Sequence, residues 1–246
     1  MTNLLALDTT LGACSVALVE DDKVVSKKKE VRARGHVERL LPMVDESMKE
    51  AELVMSDLSS IVVTVGPGTF AGVRIGLSAA KGMALALNIP LIPVTSLEAL
   101  AYEFALEKAN FSGQIAVAID ARRGELYFQV FDIVKTNISS LADAEAVPLE
   151  LIPQKINDNI KIIIGSGAEL LGAILTDSEI KFSTKIQNPT AEIIAQLALN
   201  YKERETNSDH VKPLYLRAPD AKLPSKNIMP NIKDELGKYR NSKNEC

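Results

Sequence analysis

The sequence carries the same apolar pattern twice, 112 positions apart. Residues 4–8 match residues 116–120, and each segment ends in an aspartate, Asp8 or Asp120, that a glycine follows four residues later. The next segments coincide in their alternating apolar residues: Cys14 with Leu126, Val16 with Phe128 and Leu18 with Val130. This alternation predicts a strand that returns from a turn as a hairpin. Recurrence at a fixed spacing indicates a duplicated structural unit.

The remaining hydrophobic periods continue both copies in the same order. In the first copy they predict strands at 4–8, 13–20, 23–31, 61–65 and 91–94, and helices at 36–53, 70–88 and 96–109. In the second copy they predict strands at 114–120, 125–134, 160–164 and 180–183, and helices at 153–158, 168–175 and 190–203. Thr95 and Glu98 have the spacing of a capping box, and the lysines of the third strand are typical of a sheet edge.

The first copy has three strands followed by alternating helices and strands, and we take the second, where the periods give two strands before the first helix, to repeat this unit; a duplicated unit of this kind is the plan of the actin, hexokinase and Hsp70 superfamily. We therefore expect an α/β fold of two ribonuclease-H-like units. The expected boundaries are 1–110 for the N-terminal, partner-binding unit, 111–218 for the C-terminal unit and 219–246 for a polar tail. The tail prediction follows from its polar composition.

Asp8 and Asp120 are candidate residues of a nucleotide-phosphate clasp, because that superfamily places an aspartate turn on each side of its nucleotide. The alternative is that each carboxylate accepts hydrogen bonds from its own turn, as aspartate commonly does. Neither turn contains the tight Asp-x-Gly that lets a phosphate approach the backbone closely. This favours the hydrogen-bonding alternative.

A glycine-rich segment at 66–76 leads from a predicted strand into a predicted helix. Gly66, Gly68 and Thr69 form a candidate anion-binding turn, although the Lys-Ser/Thr pair of a P-loop is missing. Small residues then recur every four positions, at Gly72, Gly76, Ala80 and Ala84. Glycine weakens a helix interior by about 1 kcal/mol relative to alanine, so something is expected to approach this helix closely.

Two explanations fit these small residues. One is packing of the helix on its own sheet, and the other is a contact between helices of two proteins, with Gly72, Arg74, Gly76, Ala80 and Ala84 as the partner interface. The two are compatible, because opposite faces of one helix can serve both purposes.

Histidine content argues against a metal centre. The chain has two histidines, His36 and His210, and the position four residues after His36 is Leu40, so no pair of imidazoles lies one helical turn apart. Ser166, in Gly165-Ser166-Gly167, lacks nucleophile-elbow spacing, and Cys14 lies among core residues. We therefore expect no catalytic residues and no metal. The Gly165–Gly167 turn lies where the superfamily contacts adenosine, but a plain strand-to-helix connection explains it as well.

Charge and cysteine content limit the function classes. The net charge is −4 and the lysines and arginines form no long block, so direct binding to a phosphate backbone is not expected. Two cysteines are too few for a disulfide framework, which indicates a reducing compartment. The N-terminus lacks a signal-peptide pattern, and prolines interrupt the longest apolar run. We expect a cytoplasmic protein without a membrane span.

Several motifs together resemble the TsaB family, also called YeaZ. They are Leu4-Ala6-Asp8-Thr9, residues 14–18, His36 with Leu41-Pro42, residues 66–70, residues 72–76, residues 119–122 with Gly124-Glu125, and Pro213-Tyr215-Leu216-Arg217. The likeness extends to about Arg217, and the glycine-rich block is its most specific part. Ala71 stands where the family usually has threonine, which changes one hydroxyl at the helix start.

The resemblance implies a bacterial complex that forms N6-threonylcarbamoyladenosine at position 37 of tRNAs reading ANN codons. In it, TsaB is an inactive paralogue that dimerises with the catalytic subunit TsaD, activates it, and works with the ATPase TsaE. It further implies a homodimer in isolation, contact with tRNA only through the complex, and no cofactor, although a nucleotide at a subunit interface stays open. The alternatives are a nucleotide-dependent ATPase or kinase of the superfamily and a metallopeptidase.

Overall fold

The computed structural model describes residues 2–32, 34–176 and 179–217, and the predicted tail 219–246 lies outside them. The first half consists of β1 (Asn3–Asp8), β2 (Ala13–Glu20), β3 (Lys23–Val31), α1 (His36–Glu50), β4 (Ser60–Thr64), α2 (Phe70–Leu87), β5 (Leu91–Val94) and α3 (Ser96–Glu107). The second half consists of β6 (Ser112–Asp120), β7 (Glu125–Val134), β8 (Asn137–Ser140), β9 (Glu145–Pro148), β10 (Ile160–Ile164), α4 (Ala168–Gly172), β11 (Lys181–Ser183) and α5 (Ala191–Leu199).

The two sheets have the same topology, which confirms the duplicated ribonuclease-H-like α/β fold. The first has the order β3-β2-β1-β4-β5, with β1, β2 and β3 antiparallel and β1, β4 and β5 parallel. The second has the order β11-β10-β6-β7-β8, and β9 pairs with the same strand, β7, as β8 does. The third strand of the second copy is therefore divided into two short strands.

Helices α3 and α5 lie between the two sheets. Helix α3 of the first half packs on β6, β7 and β8 of the second sheet, whereas α5 of the second half packs on β1 and β2 of the first. Together they close a central core that draws buried side chains from both halves. Helices α1 and α2 cover the outer face of the first sheet, and α4 with the 3-10 helix Leu149–Lys155 covers the outer face of the second. The two halves belong to one compact unit, Met1–Leu216. The boundary between 110 and 111 stays a prediction.

Most predicted elements are present with shifted ends. The third strand lies at a sheet edge, and Thr95 and Glu98 make both hydrogen bonds of the capping box. The helix predicted at 36–53 ends at Glu50, the one at 168–175 ends at Gly172, and the one at 190–203 ends at Leu199. The helix predicted at 153–158 is the 3-10 helix Leu149–Lys155, and strands β8 and β9 were not predicted. Hydrophobic periodicity therefore predicts the order of the elements better than their ends.

Helix α2 is the one helix of the described residues that is long and apolar enough to cross a membrane. One side of this helix is buried against β4, β1 and β5 of its own sheet. Packing in the protein core therefore accounts for part of the apolar composition of α2, because a third of the helix is buried.

Candidate functional site

Asp8 lies at the end of β1 and is completely buried. Its Oδ1 accepts hydrogen bonds from the Thr10 amide (3.2 Å), the Thr10 hydroxyl (2.6 Å) and the Thr64 hydroxyl (2.5 Å). Ser96, at the start of α3, donates to the Thr10 hydroxyl at 3.1 Å. This network joins β1, β4 and α3 around one carboxyl group.

The other oxygen of Asp8, Oδ2, is buried without a partner among the described residues. Burial raises the pKa of Asp8 above its ordinary value, and the hydrogen bonds from Thr10 and Thr64 offset only part of this rise. Because the carboxyl group has no exposed surface, it cannot reach a dissolved substrate in this conformation. In this conformation Asp8 joins elements of the fold, and a role as a phosphate ligand stays a prediction.

The turn that follows Asp8 is in direct contact with the start of α2. A Cβ atom at Gly68 would lie 2.4 Å from the Thr10 carbonyl oxygen, and one at Gly72 would lie 2.1 Å from the Thr9 carbonyl oxygen. At Gly76 a Cβ would lie 2.7 Å from the Thr9 hydroxyl, which donates to the Gly72 carbonyl at 2.6 Å. All three glycines are thus required by packing within the chain.

This packing leaves only one side of α2 available for the predicted partner interface. Gly72, Gly76, Ala80 and Ala84 are buried within the chain, the two glycines against the Thr9–Thr10 turn and the two alanines in the core beneath α2, and only Arg74 of that set is exposed. A partner that meets α2 without unfolding it has to contact the opposite side of the helix. That α2 is an interface at all stays a prediction.

We call the exposed side of α1 and α2 the outer helix face. On α2 it includes Ala71, Arg74, Ser78, Gly82 and Leu85, and on α1 it includes Val37 and Leu41. Leu85 is 75% exposed, Val37 63% and Leu41 56%, so these two helices leave three large apolar side chains unburied. A Cβ atom at Gly82 would have nothing within 4 Å, so no contact in the described chain explains a glycine there. The sequence pattern did not single out Gly82, because it lies off the four-residue repeat.

The second aspartate turn has the same local hydrogen bond but a different environment. Asp120 Oδ1 accepts from the Arg122 amide at 2.7 Å, just as Asp8 accepts from Thr10, so both carboxylates bond to their own turns. Asp120, however, is exposed, and Arg122 and Arg123 have left-handed backbones with φ of 61° and 57°. A role of either aspartate as a phosphate ligand stays a prediction.

The glycine turns after β4 and β10 both pack on the end of a neighbouring strand. The carbonyl of Gly66, a residue with φ of 107°, accepts a hydrogen bond from Ser96 N at 2.8 Å, and Thr69 caps α2 by accepting from Gly72 N at 3.1 Å. Gly165, with φ of 106°, lies so close that a Cβ there would be 2.2 Å from the Ala118 carbonyl oxygen. The Ser166 hydroxyl accepts from Asp120 N at 3.0 Å. These contacts are those of strand-to-helix connections, and anion binding stays a prediction.

His36 is the first residue of α1 and is buried, with Nε2 3.1 Å from the Arg32 carbonyl oxygen. Leu40, at the position of a second ligand, is a core residue. Within residues 2–32, 34–176 and 179–217, His, Cys, Asp and Glu form no group of three that could hold a metal ion. Cys14 is a core residue, as predicted, and burial raises the pKa of its thiol to about 11.

An arginine–aromatic cluster at the start of α2 joins the last described segment to this helix. Arg74 Nε donates to the Tyr215 hydroxyl at 2.7 Å, and its Cζ lies 3.5 Å from the centre of the Phe70 ring. The Phe70 and Tyr215 rings stack with 5.8 Å between centroids. The sequence showed each residue within a motif, but nothing in it indicated that positions 70, 74 and 215 meet.

A family model described as "TsaD: tRNA N6-adenosine threonylcarbamoyltransferase" matches residues 23–227 of this chain. Among curated proteins, the tRNA threonylcarbamoyladenosine biosynthesis protein TsaB of Escherichia coli (strain K12) is 32% identical over 240 residues, or 91% of this chain and 99% of that protein. The TsaB protein of Bacillus subtilis (strain 168) is 31% identical over 227 residues, or 89% of this chain and 95% of that protein.

Two solved structures from Pseudomonas aeruginosa share the fold over 88% of this chain and all of theirs. One, named YeaZ, has a TM-score of 0.73 and 29% identity. The other, an uncharacterized protein with similarity to peptidase YEAZ, has a TM-score of 0.76 and 30% identity.

Proposed function

Because this chain belongs to the TsaB branch of the TsaD family, we propose that it is a non-catalytic subunit of the complex that forms N6-threonylcarbamoyladenosine at position 37 of tRNAs reading ANN codons. In this proposal the chain works in the cytoplasm, dimerises with TsaD and activates it, and acts together with the ATPase TsaE. It pairs with itself when TsaD is absent, and it contacts tRNA only as part of the complex.

The outer helix face is the observation that carries the partner-binding part of this proposal. It combines exposed large apolar side chains, Val37, Leu41 and Leu85, with a glycine, Gly82, that no internal contact explains. Exposed apolar groups favour burial in an interface, and a helix glycine lets a second helix approach closely. The opposite side of α2 is already fixed to the Thr9–Thr10 turn, so docking on the outer side leaves the fold unchanged.

Three features of the described residues support a non-catalytic role. Asp8 is buried, so it cannot act on a dissolved substrate. Leu40, where a helical metal site needs its second histidine, is part of the core. The Gly68 and Gly72 backbone is in contact with the chain's own Thr9–Thr10 turn, so these two glycines serve packing within the chain. The remaining contribution of such a subunit is its surface.

The proposal is tested by placing arginine on the outer helix face. Gly82→Arg and Ser78→Arg add a long charged side chain at exposed positions of α2, so the isolated protein is expected to stay folded, and Gly82→Arg should be at least as stable as the unmodified chain because arginine favours a helix more than glycine does. Both variants should lose co-purification with TsaD and fail to restore tRNA modification in cells that lack the native subunit. The matched control is Glu169→Arg at an exposed position of α4, which should still co-purify with TsaD and restore tRNA modification. Buried Gly76 and Ala80 are unsuitable for this purpose, because large residues there disturb the core.

Two measurements address the other reaction classes. Calorimetry of the isolated chain with ATP and Mg²⁺ should show no tight binding and no turnover, and turnover would favour an ATPase or kinase. Stoichiometric metal in the purified protein that is lost in His36→Ala would favour a metallopeptidase.

If Gly82→Arg and Ser78→Arg both bind TsaD like the unmodified chain, the outer helix face is not the interface.

A further inference from the structure

We propose that Arg74 binds a carboxylate of the partner protein, and that Phe70 and Tyr215 hold its guanidinium ready for this contact. The inference rests on the proposed function, because it concerns the same outer helix face. It adds the chemistry of the partner's contact residue, which is an aspartate or glutamate side chain.

The guanidinium of Arg74 is held in place without a charged partner among the described residues. Its Nε donates to the Tyr215 hydroxyl at 2.7 Å, one face covers the Phe70 ring at 3.5 Å, and the Tyr215 ring centre lies 5.7 Å away. Stacking on an aromatic ring and a hydrogen bond through Nε both restrict the side chain before any partner arrives. A group that is already ordered loses less conformational entropy when it binds.

The two terminal nitrogens of Arg74 remain available. Nowhere in the described part of the chain does an acceptor lie within hydrogen-bond distance of Nη1 or Nη2. By contrast, three of the four exposed acids of α1, Asp45, Glu46 and Glu50, are paired with cations of the same chain. Two parallel N–H groups of a guanidinium match the two oxygens of a carboxylate. Arg74 therefore presents an unused bidentate donor on the surface where we place the partner.

The surrounding charge favours a protein carboxylate over an RNA phosphate. Helix α2 contains no acidic residue, and its only other cation is Lys81, two turns further along. Binding to an RNA backbone needs several neighbouring cations, whereas one Arg–carboxylate pair is enough to fix the register of a helix interface. The chain's net charge of −4 also opposes general attraction to RNA.

The experiment measures binding of the full chain to its cognate TsaD by calorimetry at low and high salt. Arg74→Ala should weaken binding by about 30-fold or more, since it removes one member of a desolvated charge pair. Arg74→Lys should recover only a small part, because an ammonium group cannot form the bidentate contact. Tyr215→Phe keeps the arginine but removes its Nε acceptor, so a smaller loss is expected. The dependence of affinity on salt should become shallower in Arg74→Ala.

Arg204 provides the matched control. Its guanidinium is also stacked, 3.9 Å from the Tyr201 ring centre, but it is already paired with Glu98 at 3.0 Å. Arg204→Ala should leave the affinity for TsaD unchanged. Each acidic residue of TsaD is then neutralised singly, by Asp→Asn or Glu→Gln. One of these variants should lose as much affinity as Arg74→Ala does, and combining the two substitutions should weaken binding no further.

Equal affinity of the unmodified chain and Arg74→Ala for TsaD would overturn this inference and leave the proposed function standing. Weaker binding that couples to no TsaD carboxylate, or a loss confined to tRNA crosslinking, would also overturn it. No binding of the unmodified chain to TsaD would reject the proposed function and this inference together.

Discussion

Two glycines of α2 should respond in opposite directions to the same substitution. Both lie inside the helix, where alanine is favoured over glycine by about 0.5–1 kcal/mol. Gly82 faces open space, so Gly82→Ala should stabilise the isolated protein by about that amount. Gly72 faces the Thr9–Thr10 turn, where the new methyl group would lie 2.1 Å from the Thr9 carbonyl oxygen and 2.5 Å from the Thr69 hydroxyl oxygen.

The size of the Gly72→Ala effect follows from those distances. An ordinary contact between carbon and oxygen needs more than about 3 Å, so either the turn or the helix has to move by about 1 Å. Overpacking of this kind costs about 1–3 kcal/mol, and displacement of the hydrogen bond from Thr9 to the Gly72 carbonyl adds about 1 kcal/mol. After the gain in helix propensity, Gly72→Ala should destabilise the protein by about 1–3 kcal/mol.

Urea unfolding at fixed pH, followed by circular dichroism, measures both variants on the same scale. A domain of this size changes its melting temperature by about 2–4 °C for each kcal/mol, so thermal scans should separate the variants by several degrees. The slope of the urea transition should stay constant, which shows that only stability has changed. If Gly72→Ala is as stable as Gly82→Ala, then α2 does not pack on the turn as described, and the assignment of its inner and outer faces is wrong.

Three further variants test other parts of the structure. Asp8→Asn should gain stability relative to the unmodified chain as pH rises above about 4. The reason is that a carboxyl group with a raised pKa contributes stability below its unfolded pKa and loses this contribution as pH rises through its folded pKa. Unfolding curves of both proteins from about pH 4 to 8 check this, and a difference in free energy of unfolding that does not change with pH would contradict it. Thr95→Ala should destabilise the protein by about 1 kcal/mol through loss of the capping box, whereas Thr95→Ser should keep most of it in the same urea assay. Cys14 should stay unmodified by a thiol reagent at about pH 8 until denaturant is added, because the thiol is buried and its pKa is raised to about 11. Peptide mapping of the labelled protein checks this, and a label on Cys14 of the native protein would show that the residue is accessible.

The order of elements could be predicted because it depends on local periodicity. Five strands, β2, β3, β5, β7 and β10, have the predicted bounds. Strands β8 and β9 were missed because Asn137–Ser140 and Glu145–Pro148 are four residues each, and only one residue of each strand is buried. A sheet edge built from two such pieces has little hydrophobic pattern to detect.

The candidate site was harder to predict because it depends on distant contacts. The glycine spacing correctly indicated that something approaches Gly72 and Gly76 closely, but the group that does so is Thr9, more than sixty positions earlier. Asp8 and Asp120 have matching positions in the two copies, yet one is buried and the other exposed. Their difference comes from the neighbouring elements: Thr64 and Ser96 enclose the first turn.

The exchange of α3 and α5 between the two sheets has a consequence for synthesis on the ribosome. The first sheet is complete in sequence at Val94, but the helix that covers its inner face ends at Leu199. A growing chain therefore carries an uncovered apolar sheet surface while about a hundred more residues are translated, and such surfaces attract chaperones and other nascent chains. Duplication of the ancestral unit thus produced two halves that each depend on the other to finish folding.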